Sequence, residues 1–126
     1  MANKSKAKGT AAETRVVRFL TDAGLHADRV VLKGNKDQGD IHIRGKDGYP
    51  VCIIEVKAGK QTQTPGRRQM EEWLEQTRTE ADNTDVPGYL VVARHGSSVK
   101  DYHVWSSCGH LFWYLDHFID YMKGGL

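Results

Sequence analysis

Asp40, Glu55 and Lys57 are the residues whose types and spacing best suit chemistry. Glu55 and Lys57 stand two apart in the run from Tyr49 to Lys57, which is apolar enough to be a central strand. Side chains two apart in a strand share a face, so these two face one way while Cys52, Ile54 and Val56 face the other. A carboxylate and an ammonium inside such a strand are costly to bury unless paired or bound to a metal. Asp40 opens the alternating stretch Asp40-Ile41-His42-Ile43-Arg44, which reads as a strand. Lys46-Asp47-Gly48 is a hairpin turn signal. A hairpin about Gly48 lets Asp40 and Glu55 converge at one end of the sheet. Clustered carboxylates repel each other, and a divalent cation relieves this. Oxygen ligation by a few carboxylates, with waters and a substrate phosphate, is what Mg²⁺ prefers. Such a cation would activate water and stabilise charge on a scissile phosphate and its leaving oxygen. Lys57 would position or deprotonate that water, or neutralise the transition state. His42 shares the strand face of Asp40 and could approach the site. The plain alternative is a Glu55–Lys57 surface pair on an edge strand.

The elements that must position these groups read as α-β-β-β-α-β-β-α. Residues 1–9 read as a basic flexible arm and residues 10–126 as one domain. Thr10 is a good helix N-cap, with Glu13 completing a capping box, and Gly24 closes that helix. His26 to Leu32 reads as a strand, and Gly34 to Gly39 as a polar loop that approaches a phosphate backbone. A second helix runs from Thr64-Pro65 to about Ala81, with Met70, Trp73, Leu74 and Thr77 inward. Asp82 to Gly88 is a turn, Tyr89 to Ala93 a buried strand, and Tyr102 to Trp105 a weaker one. Ser107 to Met122 forms a terminal helix. The class is α/β, a mixed sheet with helices packed on it.

The chain has 126 residues, 39% hydrophobic and 27% charged. That describes a globular domain rather than a disordered tail. No apolar run approaches the roughly 20 residues of a membrane helix, and no secretory leader is expected. Two cysteines, Cys52 and Cys108, make neither a disulfide framework nor a four-ligand zinc site. No membrane partner is expected, and the simplest location is the cytoplasm, with both thiols free. The net charge of +2 is unevenly placed: +7 over residues 1–68 and −5 over residues 69–126. A basic half is the electrostatic footprint of a phosphate-rich partner. Lys6, Lys8, Arg15, Lys33, Lys36, Lys60, Arg67 and Arg68 are its candidate DNA-binding residues.

Glu13 in a first helix, then Gly39-Asp40, then Ile53-Ile54-Glu55-Val56-Lys57, is similar to the PD-(D/E)xK nuclease superfamily. The layout most resembles the small Holliday-junction resolvases of archaea and phages, which begin with a basic segment and Lys-Gly, as Lys8-Gly9 does here. The resemblance runs from about Lys6 to Trp73. It implies a restriction-endonuclease-like fold, a mixed central β-sheet flanked by helices. It implies Mg²⁺ or Mn²⁺ held by Glu13, Asp40, Glu55 and the Val56 carbonyl, with Lys57 the catalytic lysine. Gln69 falls where relatives carry a helix glutamine, with Gln61 and Gln63 as alternatives. Gly39 departs from the family pattern, which has proline there. The expected activity is metal-dependent endonucleolytic cleavage of DNA, most in keeping with four-way junctions, leaving 5′-phosphate and 3′-hydroxyl ends.

Seven aromatic residues fall between Tyr102 and Tyr121: Tyr102, Trp105, Phe112, Trp113, Tyr114, Phe118 and Tyr121. They suit either a core helix or a homodimer interface. A two-fold dimer would present two sites to a four-way junction. Cleavage of flap, single-stranded or duplex DNA, and a non-catalytic DNA-binding module, are the competing readings.

Overall fold

The protein is described by a computed structural model covering residues 4–30, 39–112 and 114–125, with side chains from residue 9 to residue 124 of those ranges. The elements are α1 (Lys4–Asp22), β1 (His26–Arg29), β2 (Ile41–Arg44), β3 (Pro50–Gly59), α2 (Arg67–Thr84), β4 (Gly88–Arg94), β5 (His103–Ser106) and α3 (Leu115–Gly125). The five strands form one mixed sheet in the order β1-β2-β3-β4-β5. Only β3 and β4 are parallel; the other neighbours are antiparallel. A parallel pair needs a crossover, and α2 supplies it. The element order and mixed α/β class agree with the reading of the sequence.

Strand alternation decides which helix each residue meets. Ile41, Ile43, Cys52, Ile54, Val56, Tyr89 and Val91 join Ala12, Val16 and Leu20 of α1 and Leu115 and Phe118 of α3 in the main core. Leu90 and Val92 pack on the other face against Trp73 of α2. Leu20 and Phe118 are fully buried, each worth roughly 1.5–3 kcal/mol over an exposed position. Glu55 and Lys57 alternate with Ile54 and Val56, so they lie on the α2 face.

Several boundaries differ from those read in the sequence. Helix α1 starts at Lys4, not near Thr10. Alanine and lysine are good helix formers, and residues 4–9 continue the helix instead of forming an arm. The side chains of Lys6 and Lys8 lie outside the described residues. So do Lys33, Lys36 and Trp113, with the expected end of β1 and the loop from Gly34 to Gln38. Helix α2 starts at Arg67 after Gly66, because Lys60–Thr62 first forms a 3₁₀ turn. It runs on to Thr84, where Asp85 in the left-handed region closes it. The terminal helix starts at Leu115, not Ser107. Residues 107–112 instead fold back on β5, with Ser106 N–H donating to His110 O and Phe112 N–H to Val104 O, both at 2.7 Å. Gly109, at φ 95°, permits that reversal. Of the aromatic segment, Tyr102 and Phe118 are buried and Phe112 packs edge-on to Tyr89 and Phe118. Tyr114 and Tyr121 are exposed.

Candidate active site

Asp40 is seated by its backbone. Its N–H donates to Ile54 O and its carbonyl accepts from Val30 N–H, both at 2.9 Å. The β2–β3 register pairs Ile41 with Ile54, and one residue further on it sets Asp40 opposite Glu55. The hairpin thus brings the two carboxylates together as its spacing implied. Gly39, just before, has φ 89°. Proline is locked near −65°, so proline at this position is excluded by the backbone. A Cβ at Gly39 would also come within 3.2 Å of Ile53 Cδ1 and 3.3 Å of Ile54 O.

The acid pair is tied to β3 and α2. Asp40 Oδ2 accepts the Val56 N–H at 2.8 Å. Glu55 Oε2 receives Lys57 Nζ at 3.1 Å and Gln76 Nε2 at 3.1 Å. Lys57 Nζ also donates to Gln76 Oε1 at 2.8 Å. Glu55, Lys57 and Gln76 therefore form a closed triangle across the β3–α2 interface. Glu80, one helical turn beyond Gln76, is fully buried and acts on Glu55.

Burial dominates the electrostatics. It pushes the Asp40 carboxyl up to about 8, helped by repulsion from Glu55 and opposed by the Val56 N–H bond. Glu55 is likewise raised to about 8 by burial, then by hydrogen bonding to and repulsion from Glu80, with Lys57 opposing. Such paired perturbation in a polar cluster is characteristic of functional sites. Cys52, by contrast, is a core thiol raised to about 12 by burial.

The other expected site residues are spread more widely. Glu13 Oε1 accepts from Arg29 Nε at 3.1 Å, and its charge reaches Asp40 as a secondary influence. It flanks the pair from α1. Gln69 is not the glutamine that meets Glu55 and Lys57; Gln76 is. Seven residues apart on a helix is about 10 Å of axial rise, which sets Gln69 well up the helix. Gln61 bonds the Ala58 carbonyl instead, at 3.1 Å. Neither Gln76 nor Glu80 was singled out from the sequence. Their i, i+4 spacing, in line with Trp73 and Thr77, was the available signal. His42 is buried in β2 opposite Ile53. Lys60 follows β3, and Arg67 and Arg68 open α2, exposed at the strand-end edge of the sheet. Arg15 Nε donates to Tyr102 Oη at 2.9 Å.

Among the described residues, no three His, Cys, Asp or Glu side chains are arranged to hold a metal ion. The donor set nevertheless fits a hard cation. Two carboxylates, Glu55 buried and Asp40 half-buried, oppose each other, and burial and neighbouring carboxylates raise both well above the ordinary carboxylate range. Mg²⁺ commonly takes one or two protein carboxylates and keeps its waters.

Residues 4–107 match the family model "Phage putative PDDEXK endonuclease". The chain belongs to this family. It is therefore a nuclease of the PD-(D/E)xK kind. Comparison with curated proteins gives no match. Among solved structures, the fold is similar to Archaeoglobus fulgidus Hjc, a Holliday junction resolvase from an archaeal hyperthermophile. The TM-score is 0.55 and the identity 23%, over 80% of this chain and 74% of that one. The type IIG restriction endonuclease BpuSI is a more remote likeness, at TM-score 0.39 and 15% identity, over 81% of this chain and 11% of that one. For this PD-(D/E)xK endonuclease, the five-stranded mixed sheet with three helices is the restriction-endonuclease-like fold. No described helix is long and apolar enough to cross a membrane.

Proposed function

We propose that this PD-(D/E)xK endonuclease hydrolyses phosphodiester bonds in branched DNA, four-way junctions above all, with a divalent cation. The observation that carries the chemistry is Asp40 opposite Glu55 on neighbouring strands, with Lys57 tied to Glu55. The junction substrate is supported by the likeness to a Holliday junction resolvase. Asp40, Glu55 and the Val56 carbonyl would hold Mg²⁺ or Mn²⁺, with Glu13 as a further carboxylate. The cation would supply Lewis-acid stabilisation of the scissile phosphate and a more acidic water.

The protein's own groups have separate tasks. The Lys57 ammonium carries three donors. Two are engaged by Glu55 and Gln76, which aims the third at a phosphate oxygen or the attacking water. Gln76 fixes both partners through one amide, so the lysine is oriented before substrate arrives. A preorganised donor in a partly buried site stabilises developing negative charge without reorganising. Lys60, Arg67 and Arg68 project from the same edge and would meet the DNA backbone, with Lys6, Lys8, Arg15, Lys33 and Lys36. A homodimer would match the two-fold symmetry of a junction. The protein would act in the cytoplasm of a prokaryotic or phage-infected cell.

The test is cleavage of a labelled immobile four-way junction with Mg²⁺, beside duplex, flap and single-stranded DNA. Paired symmetric nicks in the junction alone are expected. Equal cleavage of all substrates would keep the nuclease and discard the junction. No cleavage of any would leave a DNA-binding module.

A further inference from the structure

A cavity of about 370 Å³ lies where β3 and β4 end, on the α1 face of the sheet, opposite the face that carries Lys57. Its walls come from Ala58 and Gly59 of β3, Arg15 of α1 and the segment from Ala93 to Val99. Among the described residues, no acidic side chain lines it. Arg15 is exposed, and its guanidinium is steadied by the buried Tyr102 through one Nε–H···O bond at 2.9 Å. A guanidinium has five donors, so that bond engages one of them. Arg94 is exposed at the rim, and the hydroxyls of Ser97 and Ser98 add donors.

The turn that carries Arg94 and His95 is held from behind, outside the cavity. Thr62 is buried in the 3₁₀ turn after β3, and its Oγ1 meets Gly59 O at 2.6 Å and accepts the His95 N–H at 3.1 Å. Ser97 N–H donates to Arg94 O at 3.0 Å, and Gly96 has φ 86°. The tight turn over residues 94–97 therefore holds Arg94 and His95 at the end of β4. In the β3–β4 register Lys57 lies beside Val92 and Gly59 beside Arg94. From these steps the Lys57 and Arg94 backbones are about 8 Å apart, using 3.3 Å per residue and 4.8 Å per strand.

We infer that this cavity is a second phosphate site, in which Arg15, Arg94 and His95 hold a DNA phosphodiester on the α1 face, across the strand ends from the one being cut. The inference rests on the nuclease reading and deepens it. Arg94 and His95 come from the chain's acidic half, and the fold carries them onto its basic edge. They touch the DNA backbone away from the reacting bond, so they act on binding rather than on the chemical step.

The test uses the whole protein and fluorescein-labelled DNA, titrated by anisotropy in EDTA over a series of NaCl concentrations. Arg94→Gln and His95→Ala are compared with Arg94→Lys, and with Arg44→Gln at the opposite end of the sheet. Losing the Arg94 contact, one fixed cation on a phosphate, should make the slope of log affinity against log salt shallower by about 0.9. At 0.1 M salt that is roughly an eightfold loss of affinity. With Mg²⁺, KM should rise while kcat stays unchanged, and Arg94→Lys should restore most of the slope. Far-UV circular dichroism checks folding, which these exposed positions should not disturb. A slope for Arg94→Gln, and KM values for Arg94→Gln and His95→Ala, equal to those of the unaltered protein would overturn the second site while leaving the nuclease intact. Failure of the unaltered protein to bind DNA would overturn both.

Discussion

Asp40 accepts the backbone N–H of Val56 through Oδ2 at 2.8 Å. The residue held is the one between Glu55 and Lys57, so the acid of one strand is bonded to the backbone of the strand carrying the other two groups. The β2–β3 pairing thereby fixes the Asp40 carboxyl relative to Glu55.

Asp40→Asn keeps an oxygen that accepts the Val56 N–H but removes the charge. The fold should survive, and with it the far-UV spectrum. Cleavage should fall by roughly a hundredfold or more, the scale of losing one charge-stabilising group. Gel assays of labelled junction or duplex DNA with Mg²⁺ measure it; near-normal turnover would remove Asp40 from the chemistry.

Gln76→Ala leaves Glu55 and Lys57 in place but cuts the two bonds that orient them. Outer groups that orient a site typically contribute 10–100-fold. A kcat about tenfold lower, with DNA affinity in EDTA unchanged, is expected. An unchanged kcat would reduce the triangle to a packing feature.

The raised Asp40 and Glu55 carboxyls also set a pH dependence of stability. In the unfolded chain they ionise near their ordinary values of 3.8 and 4.5, and in the fold near 8. Between those limits the folded state binds more protons, so stability falls as pH rises. Below the window both states are protonated; above it both are ionised and the loss is complete. Thermal melts in EDTA should therefore show a lower Tm at pH 8 than at pH 5, with a smaller change in Glu55→Gln. Mg²⁺ binds the ionised forms, so its stabilising effect should be larger at pH 8 than at pH 6. A Tm flat across the window in EDTA would show that the pair ionises as ordinary carboxyls do.

Gly88 is where α2 closes on the sheet. A Cβ there would lie 2.9 Å from Ala81 Cβ and 3.1 Å from Thr77 O. Overpacking of this kind costs roughly 1–3 kcal/mol. Gly88→Ala should lower the urea midpoint accordingly. It should also lower activity, because lifting α2 draws Gln76 off Glu55. A full-strength midpoint would mean that the helix shifts at no cost.

Asp40, Glu55 and Lys57 were legible in the sequence because strand alternation and a hairpin turn are local. Ile41 and Ile43 fix one face, Gly48 fixes the reversal, and the opposition of the two acids follows. The start of α1 was misplaced because Thr10 offers a capping signal while the Ala- and Lys-containing residues before it also favour helix. The residues from Ser107 to Phe112 misled because their pairing with β5 is a tertiary contact that overrides helical patterning.

What local pattern by itself determined was the order of elements, the acid pair and the lysine beside it. What only the tertiary structure decided was the partner of that pair. Gln76 and Glu80 reach Glu55 because α2 lies at one height over β3, set by the close approach at Gly88 and the turn from Lys60 to Thr62. Arg94 and His95 reach the same edge because β4 runs parallel to β3 and ends beside it. Helix height and strand order join residues distant in the chain, and hydrophobic periodicity carries no information about either.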